Sequence, residues 1–553
     1  MPMWSALNSW MNPRSAGAGR ESLADVRVER SALPILVIWT AFSLRVIGLG
    51  RVLLLPDEAY YWLWSRRLDW AYYDNPAGTA LLLRASTALG GQTEFGLRWL
   101  NALLGVVCVA LLWAVGRRLI SAVLASETSM AGWGAAVMTL GAPFLVVSRF
   151  VYTDGLFLFL LLLNFWCFLR MLGRASSPHV PRQRRTSVLG LRLQSGFSFL
   201  AWGLTLGLLL NTKYTAYLYI AGLGLWVAWQ RPDLLREHRL WYAVVLAGLG
   251  LLPVVGWNVT HGWVSFRWQL AHLVSRSPGA AVPPLRSMVL DLGWMWARNA
   301  RHAVLYLTWP SVFFALMGCL PLAQPCDAPD RSVDRLLWLL GLVLLLPVLL
   351  SPSGSPRNMV GGLVFLMLRA VVWLAGQAAH RTGKHRLIGA VRSVVLLVGL
   401  YGVGSLLALR GIDVPLKSSV VPEIVWDTTG LRELAATVAP LEAAPLFTVD
   451  YSLAGQLSYY AGRPAYTAWG QYRLWQMPAP ERLIVVSLDY VPPSLVDTRL
   501  REAYAQVEGP NSVDVDGPEA ARDISWWQVS GLRWNPKRVL QAFDFFTLVE
   551  ASW

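Results

Sequence analysis

The chain has 553 residues, of which 55% are hydrophobic and only 15% charged, with 29 Trp and a mean hydropathy of +0.44. A soluble domain carries about 25% charged residues, so a soluble globular enzyme is excluded and a polytopic membrane protein is implied. The formal net charge of +15 does not point to nucleic acid, because the arginines flank apolar runs instead of interleaving with aromatics on one soluble face; anionic lipid and membrane topology account for it.

Residues 1–32 hold no continuous apolar core and no small-residue cleavage pattern, and read as a cytoplasmic tail before a signal anchor. Crossing ~30 Å of hydrocarbon takes about 20 helical residues. Eleven runs qualify approximately: Leu33 to Leu55, Leu97 to Val115, Ala131 to Val147, Gly155 to Leu172, Gly196 to Leu210, Tyr214 to Trp229, Leu240 to Trp257, Ala303 to Leu322, Leu336 to Leu350, Met359 to Gln377 and Leu387 to Leu409. Arg117 and Arg118, the Arg170 to Arg192 cluster, Arg231 to Arg239, Arg331 with Arg335, and Arg381 with Lys384 and Arg386 fall on one side. By the positive-inside rule that side is cytoplasmic. The expected fold is a membrane domain over 33–410 and, over 411–553, a small periplasmic α/β domain. In the latter, "APLFTVDYSLAGQLSYYAGRPAYTAW" reads strand, helix, strand, and "RLIVVSLDY" reads as a buried strand. Cys108, Cys167, Cys319 and Cys326 form no CxxC pair or Cys/His cluster, so no disulfide framework is implied.

The loops on the other side carry the chemistry. "LPDEAYYWLWSRRLDWAYYDNPAGTALLLR" follows the first run, "RFVYTDGLF" precedes the fourth, "NTKYTA" joins the fifth and sixth, "WNVTHGWVSFRWQ" follows the seventh and "SPSGSPRN" joins the ninth and tenth. Acids, a Lys, arginines and a His are thus gathered at one depth, at helix ends where charge costs less than the ~2.5 to 3.5 kcal/mol of mid-membrane. Such a set suits a lipid-borne substrate with an anionic head: an Asp acts as general base on an acceptor hydroxyl, and Lys, Arg or a metal neutralises the charge developing on a phosphate leaving group. Each piece has an ordinary alternative. Asp57 and Glu58 fit a helix N-terminus, Asp154 fits a helix cap, and the basic side chains fit snorkelling. Tyr60, Tyr61, Tyr72 and Tyr73 suit either a sugar pocket or the interfacial aromatic belt.

As a set, "PDEAYYWLWSRRLDWAYYDNPAGTALLLR", "YTDGLFLF", "NTKYTA" and "WNVTHGWVSFRWQ" resemble the bacterial membrane glycosyltransferases of the protein O-mannosyltransferase and lipid A aminoarabinose transferase superfamily. The resemblance implies a GT-C fold with amphipathic helices in its first outer loop. It also implies inverting transfer from a polyprenyl (undecaprenyl) phosphate sugar to a lipid, glycan or protein acceptor at the periplasmic face of a bacterial inner membrane. By the same resemblance Asp57 is the general base or acceptor-positioning group with Glu58 in support, and Asp154 is a second acid of the cavity. Asp74 and His261 stand where the aminoarabinose transferases place a divalent metal pair, zinc being compatible by ligand type. Asn75 replaces the lysine of the related segment, which leaves the phosphate contact to Lys213, Arg357 and Arg267. No nucleotide is implied, since no P-loop or GxGxxG follows a strand. The alternative reading is a lipid-linked sugar flippase or transporter, which would show mid-span charge and related halves; here Asn164 is polar near mid-span, but most of the charge lies at helix ends.

Overall fold

The computed structural model describes residues 38–121, 142–175, 188–274, 316–320, 331–350, 356–380, 407, 428, 430–441, 444–475, 481–488, 491–516 and 521–535. Among these, four helices are long and apolar enough to cross a membrane: Glu94–Leu119, Thr153–Leu172, His238–Thr260 and Arg357–Leu374, with a shorter apolar helix over Gly196–Leu210. The expected runs at 303–322 and 387–409 lie largely outside the described residues, as does most of 131–147.

The membrane helices follow one another as α1 (Pro56–Arg66), α2 (Gly78–Gly90), α3 (Glu94–Ser121), α4 (Ala142–Arg149), α5 (Thr153–Ala175), α6 (Val188–Leu210), α7 (Thr215–Gln230), α8 (His238–Thr260), α9 (Val264–Val274), α10 (Arg331–Leu350) and α11 (Val360–His380). Helices α1 and α2 occupy the loop expected after the first run. α5 lies at the centre, packed against α3, α6 and α11. Its one mid-span amide, Asn164, is fully buried: Nδ2 donates to the Trp202 carbonyl and to Thr205 Oγ1, both at 2.9 Å, and Oδ1 accepts from Tyr219 Oη at 3.1 Å. The amide is therefore a fastener of α5, α6 and α7, with its capacity used between helices. Helices α6 and α8 cross through small residues: a Cβ on Gly203 would lie 2.5 Å from the Ala243 carbonyl oxygen, and one on Gly250 2.7 Å from Gly207 Cα. At the arginine-rich end the guanidinium groups fold over indoles, Arg117 on Trp113 and Arg170 on Trp166 at 4.6 Å each, and Arg335 on Trp229 at 5.3 Å. That is how a long cation leaves hydrocarbon while its stem stays covered.

The C-terminal part is a five-stranded sheet of order β2-β1-β3-β5-β4, comprising β1 (Leu446–Thr448), β2 (Ala465–Tyr466), β3 (Arg482–Leu488), β4 (Tyr504–Asp516) and β5 (Ala521–Leu532). β1 pairs in parallel with β2 and β3, while β3, β5 and β4 are antiparallel. The buried strand expected of "RLIVVSLDY" is β3, whose period of two sorts Leu483 and Val485 into a core with Val496 and Leu500 of α14 (Pro493–Ala503). Ile484 and Val486 face a second core with Leu434 of α12 (Leu431–Val438) and Leu453 and Leu457 of α13 (Tyr451–Tyr460). Both faces of the central strand are thus covered, as a parallel-edged sheet requires.

This domain sits on α1. Gln456 Nε2 donates to the Leu54 carbonyl at 2.8 Å, the Leu54 amide donates to Tyr460 Oη at 2.7 Å, the Gln471 amide to Tyr60 Oη at 2.9 Å and the Tyr73 amide to Gln471 Oε1 at 2.7 Å. The close approach depends on Gly455, where a Cβ would meet the Ala59 carbonyl carbon and the Tyr60 amide nitrogen at 2.8 Å each. Gly455→Val is expected to cost about 1–3 kcal/mol by overpacking. Hydrogen exchange should rise across 54–66 and 451–460 while α5 keeps its protection; unchanged exchange in those two segments would refute the contact.

Candidate functional site

The site is assembled at the start of α1. Pro56 at the first helical position fixes φ for the turn. Glu58 then reaches back so that Oε2 accepts from the Leu55 amide at 3.0 Å. Glu58 also takes the Val151 amide on Oε1 at 2.8 Å and a bidentate pair with Arg98, Nε to Oε1 at 2.8 Å and Nη2 to Oε2 at 2.5 Å, both side chains being 0% exposed. Arg98 spends its remaining donors on the carbonyls of Leu49, Val52 and Leu53 at 3.0, 2.6 and 2.8 Å. Glu58, expected beside Asp57 in the reacting group, is therefore turned away from the cavity with both oxygens occupied; its place is structural.

Turning Glu58 inward leaves Asp57 facing the cavity. Asp57 Oδ2 meets Arg357 Nη1 at 2.5 Å, and the Arg357 guanidinium lies 4.4 Å from the Tyr152 ring centre. Arg357 comes from a 3-10 turn, Pro356–Met359, directly ahead of α11. Beside it, Lys213 Nζ donates to Asp154 Oδ1 and to Asn358 Oδ1, both at 2.6 Å. Asp154 lies in the first turn of α5 and not at its cap. Burial pulls the Lys213 amine below its usual value, opposed by the neighbouring Asp154. Lys213 is brought close to the first loop because Gly78 has no side chain: its amide donates to the Asn211 carbonyl at 2.8 Å, where a Cβ would collide at 2.6 Å.

Helix α9 packs on the opposite edge of the loop. Ser265 Oγ donates to the Tyr72 carbonyl at 2.7 Å and Gln269 Nε2 to the Asp74 carbonyl at 2.8 Å. These residues are four apart and share a helix face. Arg267, between them, falls on the other face and is exposed, outside the Asp57 group.

The expected cavity aromatics divide. Tyr72 is 0% exposed, stacked on Trp64 at 4.4 Å with its hydroxyl against the Trp64 and Arg67 carbonyls, and Tyr60 is 1% exposed, stacked on Tyr472 at 5.8 Å. Tyr72 thus closes the loop on itself and Tyr60 packs in the seam between loop and α/β domain, so neither ring lies open as a sugar-facing surface. Tyr61 stays by the site, where burial and then Asp57 raise its hydroxyl well above the usual range. Tyr73 and Asn75 are half-buried at the rim.

Asp74 is half-buried, and its Oδ1 atom is buried with no hydrogen-bond partner among the described residues. Burial first, and the Asp57 carboxylate second, push its pKa up to about 7, against hydrogen bonds from Asn75 and Tyr60. His261 does not join it. It is exposed at the end of α8, stacked on Trp257 at 4.0 Å with Nδ1 2.9 Å from the Trp257 carbonyl. Among the described residues no three His, Cys, Asp or Glu side chains converge as a metal site. The pair expected to hold a divalent ion is thus not brought into contact among the described residues.

The fold and site define a multi-pass helical membrane protein with paired acids and bases at the helix ends beneath an α/β domain. Its fold is similar to that of solved GT-C membrane glycosyltransferases. The sequence model of the dolichyl-phosphate-mannose-protein mannosyltransferase family matches residues 71–268. The chain is 26% identical over 234 residues to the lipid A galacturonosyltransferase RgtD of Rhizobium johnstonii, a match spanning 42% of this chain and 44% of that protein. Two crystal structures of ArnT from Cupriavidus metallidurans share its fold at 16% identity: the apo state, with a TM-score of 0.52 over 90% of this chain and 98% of that one, and the state bound to undecaprenyl phosphate, with a TM-score of 0.50 over 91% and 98%.

Two predictions follow from this geometry. Arg98→Met leaves the Glu58 charge buried without its partner and is expected to cost about 3–5 kcal/mol, read as a large fall in Tm; a Tm within 2 °C of wild type, on the order of a surface change, contradicts the assignment. Asp74 is raised in the folded state, so its stabilisation is complete below the unfolded carboxylate range near pH 4 and is lost as pH rises through about 7. Asp74→Asn should therefore melt above wild type at pH 8, with the gap closing toward pH 4. An equal gap at both pH values contradicts the shift.

Proposed function

We propose that this protein moves a sugar from a polyprenyl-phosphate carrier to a hydroxyl of a lipid A-like glycolipid, in one inverting displacement at the periplasmic face of a bacterial inner membrane. The observation that carries this reading is the double pairing Asp57–Arg357 and Lys213–Asp154, two cations and two carboxylates from four separated segments at the membrane edge. The ArnT structure bound to undecaprenyl phosphate supports the carrier, and the lipid A galacturonosyltransferase supports the acceptor class.

In this scheme the donor phosphate lodges against Arg357 and Lys213, drawing on charge now shared with Asp57 and Asp154. Asp57 accepts the proton of the acceptor hydroxyl as its oxygen attacks the anomeric carbon. The bond from that carbon to the phosphate oxygen breaks with its electron pair on the phosphate, and the two cations take up the charge. Attack opposite the leaving group inverts the anomeric configuration. Asp154 holds the Lys213 ammonium in place from the first turn of α5, and Asn358 fixes it from the other side.

The test is a detergent assay with undecaprenyl-phosphate sugars and lipid A, followed by mass spectrometry. Asp57→Asn should lower kcat by about 10²–10⁴-fold with Tm unchanged, and Lys213→Met should raise the donor KM. Transfer by Asp57→Asn at the wild-type rate would remove Asp57 from the reaction.

A further inference from the structure

We propose that the C-terminal α/β domain supplies the acceptor side of this site. Tyr451 and Trp469, facing Trp268 and Tyr73 of the membrane part, form an aromatic wall that stacks a pyranose ring of the acceptor glycolipid beside Asp57. The inference rests on the glycosyl-transfer reading and names a binding surface within it.

The wall is continuous across the domain boundary. Tyr451 and Trp469 stack at 4.2 Å with an interplanar angle of 25°. Trp268 of α9 stands edge-on to Trp469 at 5.4 Å, and Tyr73 lies 5.3 Å from Trp268. Tyr60 closes the floor at 5.9 Å from Tyr451, its own ring sealed by Tyr472. Unlike Tyr60 and Tyr72, the four wall residues are only half-buried, so part of their surface remains open. A pyranose carries an apolar C–H face and a rim of hydroxyls; stacking covers the face and leaves the rim free to reach a carboxylate.

Tyr451 is held in place. Asp450 caps α13 through the Ser452 amide at 3.0 Å, which starts the helix at Tyr451. Gly455, four residues on and on the same helix face, is pressed against α1. The hydroxyl lies in the field of the Asp57 group: burial and then Asp57 raise it, while Arg357 opposes. Asp57 thus stands within reach of both the Arg357 cation and the Tyr451 ring. An inverting displacement needs phosphate and acceptor on opposite sides of the anomeric carbon, and the phosphate belongs with the cations. The aromatic side is left for the acceptor ring.

The test measures binding by calorimetry on the full chain in detergent, with undecaprenyl phosphate and the glucosamine disaccharide headgroup of lipid A as separate probes. Tyr451→Ala and Trp469→Ala should weaken disaccharide binding by about tenfold or more and leave undecaprenyl phosphate within twofold. Tyr451→Phe, which keeps the ring, should bind the disaccharide as wild type does. Undecaprenyl phosphate bound normally with disaccharide binding absent, or indifferent to both alanine variants, overturns the wall and leaves the transfer reading intact. Equal losses on both probes with a lowered Tm reduce the aromatics to a docking seam and also overturn it. Disaccharide binding with the expected Tyr451 dependence, but no undecaprenyl phosphate binding by wild type, sustains the wall and removes the polyprenyl carrier instead.

Discussion

A single buried ion pair organises the end of the molecule where the acids and bases meet. Arg98 rises from α3 into the fully buried interior and would be intolerable there alone. Its guanidinium is satisfied by Glu58 and by three carbonyls of the chain that leads into α1. Because Glu58 also takes amides from Leu55 and Val151, one carboxylate joins the entry to α1, the third helix and the segment before α5. Asp57 and Asp154 sit next to those anchors. Their spacing is inherited from a pair that touches no substrate.

The first loop is a hub of similar kind on a larger scale. It touches α9 through Tyr72 and Asp74, the α6–α7 turn through Gly78, and the sheet domain through Tyr60 and Tyr73. Seven aromatic side chains between Tyr60 and Tyr73 make this possible. A ring buries a large area at little entropic cost and still offers a hydroxyl or N–H at its edge. The loop is consequently a packed layer of short helices between the membrane part and the sheet.

Much of this was legible in the sequence, because depth and periodicity leave direct marks. Apolar runs with arginine-rich ends marked the described membrane helices, and the continuous apolar run in "RLIVVSL" marked the buried central strand. Asp57, Asp154, Lys213 and Arg357 were recognisable as charges at helix ends, and they meet. Glu58 and Arg267 were not separable from them, since adjacent residues look alike until the helix face is known. Arg98 carried a signal that was passed over: an arginine four residues into an apolar helix demands a partner. Tyr451 carried none. Its relevance comes from a contact between residues nearly four hundred positions apart, which local pattern cannot encode.

The seam beneath the sheet domain has a further consequence for how such a chain can change over time. Most of its hydrogen bonds run one way: Gln456, Tyr460 and Tyr459 address the main chain at Leu54 and Gln92, and Gln471 addresses that of Tyr73, with the Gln471 amide on Tyr60 Oη running the other way. On the receiving side the partner is a peptide group, present whatever the residue is. Substitutions at 54, 73 or 92 leave those donors and acceptors intact, whereas a shift in backbone path would lose several at once. Tolerance on this surface therefore depends on backbone path more than on residue identity.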